Sequence, residues 1–294
     1  MSVKIAFVIL QYMAYKDTIE CVESIRNTID TDEYAIIIVD NCSPDDSCRR
    51  IQEVLLFDKR IAVISNDMNY GFAKGNNIGY QYAKYHYNPE YIVMCNNDVV
   101  FFMKGLYSVL VEKYKAFHYY VLGPMIISKD GSFTTNPICF SDTYAKSGEI
   151  QREININRIK VFLCRLHIFS LIKKIGLKTT SKDNIKNRSQ KYLMDQKNVR
   201  LHGSFLVFSD DYIKKFDGLD DRTFMYGEEL FLQMNVIVAG GTLLYTPAYV
   251  VFHKEDASTD IKIGKSNKKA LFVYSNNIIS EEKYLDALSH EIIK

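Results

Sequence analysis

Five short stretches carry residue types whose order suggests chemistry. In Tyr91 to Val100 (YIVMCNNDVV) an apolar run stops at Asn96, Asn97 and Asp98 and then resumes. An acid flanked by amides suits a hard cation such as Mg2+ or Mn2+, which prefers oxygen ligands and often shares them with a diphosphate. An Asn-rich turn after a strand is the plainer account of the same residues. The run from Asn69 through Gly71, Lys74, Gly75 and Asn76 opens a helical pattern with two glycines and a cation. Glycines let backbone approach a ligand, and a helix N-terminus favours a diphosphate. Asp40 and Asn41 end another apolar run, where a carboxylate can accept from a base N–H or a ribose hydroxyl, or merely open a turn. Glu228 and Glu229 begin a helix; acids are common in a first turn, and one of them can equally serve as general base to an attacking hydroxyl. His253 closes an apolar run, and a lone histidine is more often packed than liganding.

The elements that position these groups are readable from the apolar pattern. VKIAFVIL (3–10), YAIIIVD (34–40), IAVISN (61–66), YIVMCNND (91–98) and VLGPMII (121–127) read as buried strands. Helical patterns alternate with them: one capped by Asp17, one begun by Ser43-Pro44-Asp45-Asp46, one entered through the glycine stretch. Such alternation predicts an α/β fold with a mostly parallel, Rossmann-like sheet flanked by helices. Ligands of such sheets bind outside the carboxyl ends of the strands, where Asp40 and Asp98 fall. After about residue 130 the alternation stops. An apolar helical face (Ile159, Phe162, Leu163, Leu166, Phe169, Ile172, Leu177) lies in a polar stretch; SFLVFS (204–209) and TLLYTPAYVVFH (242–253) then read as strands around a helix at 227–241.

Composition narrows the class. The six cysteines (21, 42, 48, 95, 139 and 164) form no CxxC pair, which argues against a zinc site or a disulfide framework. The opening MSVKIAFVIL reads as a strand rather than a signal peptide, and no run approaches the ~20 apolar residues of a membrane span. A cytoplasmic location is expected, with peripheral attachment to the inner face of the cell membrane left open. The net charge of +2 conceals 13 basic against 3 acidic residues between Arg152 and Arg200. Such a block suggests a surface that meets anions. It lacks a nucleic-acid motif, so nucleic acid is not an expected partner.

Six stretches in order, VKIAFVILQY, IIIVDNCSPDDS, NDMNYGFAKGNNIG, YIVMCNNDVV, LHGSFLVFSDDYIKKFDGLDDRTFMYGEE and VVFHKEDAST, resemble the family 2 glycosyltransferases of the GT-A fold, particularly the rhamnosyltransferase-like branch of bacterial surface-polysaccharide synthesis. The resemblance covers about residues 3–130 and 199–260. It implies that Gln11, Tyr12, Asp40 and Asn41 recognise the nucleotide, and that Asn69, Gly71, Lys74, Gly75 and Asn76 line it and its sugar. Asn96-Asn97-Asp98 matches the DxD motif, with Asp98 on a divalent cation (Mn2+ or Mg2+) and His253 completing the metal or diphosphate site; Asn96 removes one charge from that motif. Glu228-Glu229 falls on the family's Glu-Asp pair, which makes Glu229 the expected base, one methylene longer than the usual Asp, and Phe231 stands where an acid often follows. The implied reaction is inverting transfer from a UDP- or dTDP-linked sugar to a hydroxyl of a glycan or lipid-linked glycan.

The expected organisation is a single GT-A domain. Residues 1–130 form its nucleotide-sugar part and 201–260 its acceptor and catalytic part; 131–200 are a basic helical insert facing acceptor or an anionic membrane, and 261–294 a helical tail. A sugar nucleotidyltransferase and a non-catalytic nucleotide-sugar-binding protein are the rival readings. Sugar, acceptor and oligomeric state are not legible.

Overall fold

The computed structural model describes residues 2–55, 57–166, 190–254 and 267–291. Four strands form its N-terminal half: β1 (Ile5–Gln11), β2 (Tyr34–Asp40), β3 (Ile61–Ser65) and β4 (Tyr91–Asn96). They lie in the order β3-β2-β1-β4, all parallel. Both faces of β1 and β2 are buried, which is why their sequences are continuous apolar runs rather than alternating ones. The helices α1 (Tyr15–Thr28), α2 (Ser47–Leu55) and α3 (Phe72–Tyr87) connect them. Helix α1 starts two residues before Asp17, which sits in its first turn and accepts Lys254 Nζ at 2.7 Å instead of capping. Helix α2 starts four residues after Ser43, because the Ser43 hydroxyl and backbone N–H are both donated to the Asp40 carboxylate.

Beyond β4 the sheet becomes mixed. The remaining strands are β5 (Val99–Phe101), β6 (Val121–Ser128), β7 (Gln196–Lys197), β8 (Phe205–Ser209) and β9 (Leu243–His253). The order continues β4-β8-β6-β9-β5, with β8 antiparallel to β4 and to β6, β6 parallel to β9, and β5 antiparallel to β9; β7 pairs with β9 off this path. The antiparallel pairings bring the segment before β8 and the last residue of β9 to the carboxyl end of β4. Asn96 N–H donates to Ser204 O at 2.9 Å, and Lys254 N–H to Asp98 O at 3.1 Å. Helix α4 (Leu106–Phe117) follows β5, and the short α6 (Asp210–Lys215) follows β8.

The polar stretch after residue 130 holds α5 (Ser147–Arg165), about three turns of which precede the region where an apolar period is visible. It buries Ile150, Ile154, Asn157, Val161 and Cys164. Ile159, Phe162 and Leu166, on the face that stood out in the sequence, are exposed. Phe169, Ile172 and Leu177 lie outside the described residues. The C-terminal helix α8 (Asn267–Glu291) packs along α5 and touches α7 (Glu228–Val238). Phe231 and Tyr284 meet edge to face at 5.2 Å, a geometry worth about 1 kcal/mol beyond the area it buries. Asn157 donates to both Glu281 oxygens at 3.0 and 3.1 Å, and Ser280 Oγ reaches Met225 O at 3.5 Å. The tail thus braces the start of α7, where Glu228 and Glu229 lie. Among the described residues no helix is long and apolar enough to cross a membrane.

Candidate active site

The carboxyl ends of β1 and β2 hold a polar knot. Asp40, 1% exposed, accepts Gln11 Nε2 at 3.2 Å, Ser43 N–H at 2.9 Å and Ser43 Oγ at 2.7 Å. Gln11 Oε1 accepts the Ala14 N–H and the Thr18 hydroxyl, both at 3.2 Å, and Asn97 Nδ2 donates to Thr18 Oγ1 at 3.1 Å. The Gln11 amide and the Asn97 Nδ2 are therefore engaged within the protein, orienting the loop after β1. Tyr12 stands half-buried on that loop.

Asn41 plays the same part for the glycine stretch. Its Nδ2 donates to Asn69 Oδ1 at 3.1 Å and Gly71 O at 3.0 Å; its Oδ1 accepts Asn66 Nδ2 at 3.1 Å and Tyr70 N–H at 3.0 Å. Gly71 has φ +81°, and a Cβ there would stand 2.1 Å from Phe224 O. At Gly75 a Cβ would meet Leu10 Cδ1 at 2.8 Å. Both glycines are buried and needed for close packing, Gly71 at the N-cap of α3 and Gly75 in its first turn. Asn76 Nδ2 turns back to Phe72 O, whereas Lys74 is exposed, its Nζ 5.1 Å from the Tyr70 ring centroid.

At the end of β4, Asp98 Oδ1 and His253 Nε2 lie 3.1 Å apart, and the two residues are 4% and 5% exposed. Asn96 Nδ2 is 3.5 Å from the same ring nitrogen, and His253 Nδ1 is buried without a hydrogen-bond partner. A separation near 3 Å is that of neighbouring ligand atoms around a cation bound octahedrally at roughly 2.1 Å. The pair fits a divalent cation. Among the described residues no third His, Cys, Asp or Glu joins them, so the other positions would fall to phosphate oxygens and water, a common habit of Mg2+.

The two glutamates diverge. Glu228 is buried and accepts Thr223 Oγ1 at 3.2 Å; burial first, and the neighbouring Glu229 carboxylate second, push its pKa up to about 8. Glu229 is half-buried and accepts the Gly203 N–H at 3.1 Å. Gly203 adjoins Ser204, whose carbonyl holds Asn96, so Glu229 and the Asp98–His253 pair flank one short segment, His202 to Ser204. The ring of His202 lies 6.0 Å from that of His253. Neither His202 nor Thr223 is marked in the sequence: a single histidine without liganding spacing and a threonine in a turn carry no pattern of their own.

The sheet order, the helices on its faces and the polar groups at the carboxyl ends of β1, β2 and β4 define an α/β fold of the GT-A type. Solved structures share it at 14–15% identity: GalNAc-T7 with UDP, GalNAc and Mn2+ (TM-score 0.57, covering 92% of this chain and 48% of that one) and S. aureus TarS residues 1–349 in complex with UDP-GlcNAc (TM-score 0.50, 94% and 73%). A further S. aureus TarS structure matches with TM-score 0.51 over 85% of this chain and 36% of that one, so the chain spans less than half of the longer neighbours. The model of Glycosyl transferase family 2 matches residues 7–176. The chain belongs to glycosyltransferase family 2. Rhamnosyltransferase WbbL of Escherichia coli (strain K12) is 26% identical over 227 residues, 76% of this chain and 74% of that protein.

Proposed function

We propose that the protein transfers a sugar from a UDP- or dTDP-linked donor to a hydroxyl of a glycan or lipid-linked glycan, with inversion, in bacterial surface-polysaccharide synthesis. The observation that carries this reading is the disposition of two poles around His202–Ser204: Asp98 with His253 on one side, and the Glu229 carboxylate on Gly203 on the other. An in-line displacement needs such an arrangement, with the leaving diphosphate at one pole and the attacking hydroxyl at the other. Mn2+ or Mg2+ held by Asp98 and His253 would supply charge neutralisation for the departing diphosphate.

The remaining steps fall to the chain's own groups. Exposed Lys74 and the backbone of the glycine loop face the phosphates; Tyr12 and the Asp40 knot meet the base. Glu229 takes the proton of the acceptor hydroxyl as it attacks the anomeric carbon. Glu228, protonated and bonded to Thr223, holds the helix start that aims its neighbour. In this reading residues 1–130 bind the sugar nucleotide and 201–260 serve the acceptor and catalysis. The exposed Ile159 and Phe162 of α5 and Leu166 just after it, within a block of 13 basic and 3 acidic residues, suit an anionic membrane surface.

The test is turnover. Wild-type protein, Mn2+ and UDP- or dTDP-linked hexoses are incubated with bacterial lipid extract, and the product's anomeric configuration is read by NMR. Transfer with inverted configuration, lost in Glu229→Gln, is expected; retained configuration contradicts the mechanism, and nucleotide binding without turnover favours a non-catalytic binding protein.

A further inference from the structure

Arg200 precedes the His202–Ser204 segment by two residues, where the chain bridges antiparallel to Cys139. Its neighbours Val199 and Leu201 are both buried in one core cluster, so the alternation of an extended chain puts Arg200 on the other side. There its Nε donates to Gln233 Oε1 of α7 at 3.1 Å. The run from Arg200 to Gly203 therefore follows α7 backwards: Arg200 meets Gln233, and Gly203 meets Glu229 one turn earlier.

Gln233 is a fixed support. It is fully buried, and its Nε2 donates to Asn198 O at 2.9 Å and Ser141 O at 3.1 Å, which leaves Oε1 as the end that faces Arg200. A neutral amide orients the guanidinium without cancelling its charge. Among the described residues the other half-buried arginines, Arg26 and Arg60, both lie against the Asp58 carboxylate, at 2.9 and 2.8 Å. Arg200, equally half-buried, has no carboxylate within ion-pair distance among the described residues, and its side chain is held at Nε alone. Partial burial of a cation beside a neutral group costs solvation that an oxyanion ligand returns.

We infer that Arg200 binds an oxyanion carried by the acceptor sugar, a phosphate on its anomeric carbon or a carboxylate, and so sets which acceptors are used. The inference rests on the reading given under Proposed function, in which Glu229 takes the proton of the attacking hydroxyl. Gln233 follows Glu229 by four residues, so the support of the guanidinium stands about one turn, ~5.4 Å along the helix, from the base. That spacing is comparable to the breadth of one pyranose ring, with the hydroxyl at Glu229 and the charged substituent across the ring at Arg200. A guanidinium grips phosphate or carboxylate through two parallel hydrogen bonds, which orients the ring as well as holding it.

The experiment compares wild type, Arg200→Ala and Arg200→Lys, each saturated with the nucleoside diphosphate it binds and Mn2+, so that the donor's own phosphate site is filled. Calorimetry then measures binding of the 1-phosphates of glucose and galactose, the methyl glycosides of their uronic acids, and their neutral methyl glycosides. Wild type should bind one charged form at least about 10-fold more tightly than the neutral one. Arg200→Ala should lose that preference, and Arg200→Lys recover part of it, since an ammonium keeps the charge without the paired grip. Preference for the 1-phosphate puts the charge at the linkage to the lipid; preference for the uronate puts it on the glycan. In turnover with bacterial lipid extract, Arg200→Ala should raise KM for the extract about 10-fold or more, with nucleoside-diphosphate affinity within about twofold of wild type. A wild type that binds charged and neutral forms alike would overturn the inference. So would a preference that survives in Arg200→Ala, or a loss there that is equal for the neutral glycosides. Failure of the wild type to bind either nucleotide is a different result, since it removes the underlying reading itself.

Discussion

The Gly203 N–H holds one oxygen of the Glu229 carboxylate at 3.1 Å, and a Cβ at Gly203 would come within 2.9 Å of that same oxygen. The obstruction is the end of a flexible side chain, so Gly203→Ala should fold and push Glu229 aside. A displacement near 1 Å at a reacting group costs about 100-fold in rate. Gly203→Ala is expected to lower kcat by about that factor, with melting temperature and nucleotide affinity near wild type. Unchanged kcat would separate Glu229 from the proton transfer.

Gly71→Ala should behave in the opposite way. Its φ of +81° disfavours any L side chain, and the obstruction at 2.1 Å is the Phe224 carbonyl, itself the acceptor of the Phe72 N–H at 2.7 Å. Neither can yield without opening the loop that Asn41 holds. Stability should fall by about 2 kcal/mol or more, and nucleotide affinity with it, in denaturation and calorimetric titrations. A variant of wild-type stability would contradict the loop geometry.

The glutamate pair predicts a pH dependence of stability. Glu228 in the fold stays protonated well above the ordinary carboxyl value of 4.5, to about 8. Folding then takes up a proton across that window, so this contribution is complete below the unfolded value and is lost as pH rises through the folded one. Glu228→Gln cannot ionise. Its melting temperature should fall less than that of wild type between about pH 5 and about pH 9. It should also retain measurable transfer, whereas Glu229→Gln should lose about 10²- to 10⁴-fold. Parallel pH curves for wild type and Glu228→Gln would show that the buried carboxyl is ionised after all.

The exposed face of α5 gives a prediction on partners. Replacing Ile159 and Phe162, 61% and 60% exposed, by serine should leave folding intact and weaken co-flotation with vesicles containing anionic lipid. Co-flotation equal to wild type would remove the membrane from the account of this helix.

Much of this was legible in the sequence because a two-face-buried strand leaves a plain signal. Ile36 to Val39 and Ile92 to Cys95 are continuous apolar runs, and the polar residues that end them fall where a doubly covered sheet exposes its strand ends. What hid was decided by pairing rather than by local pattern. Asn41 reads as a turn residue, yet it holds four partners across the glycine loop. Ser43 reads as a helix cap but spends its donors on Asp40. The first turns of α5 are polar because their buried face rests on another helix through Asn157 and Glu281 as well as through Ile150 and Ile154. His202 became visible only when β8 paired antiparallel with β4 and carried it to the end of that strand.

The role of Asp98 and His253 is tested most directly by calorimetric titration of UDP and dTDP, with and without Mn2+, into wild type and Asp98→Ala. One nucleotide is expected to bind wild type in a Mn2+-dependent manner, and Asp98→Ala to lose the metal-dependent part. Binding that is equal in both proteins and indifferent to Mn2+ would contradict that role, since Asp98 and His253 would then not be the diphosphate pole of the site.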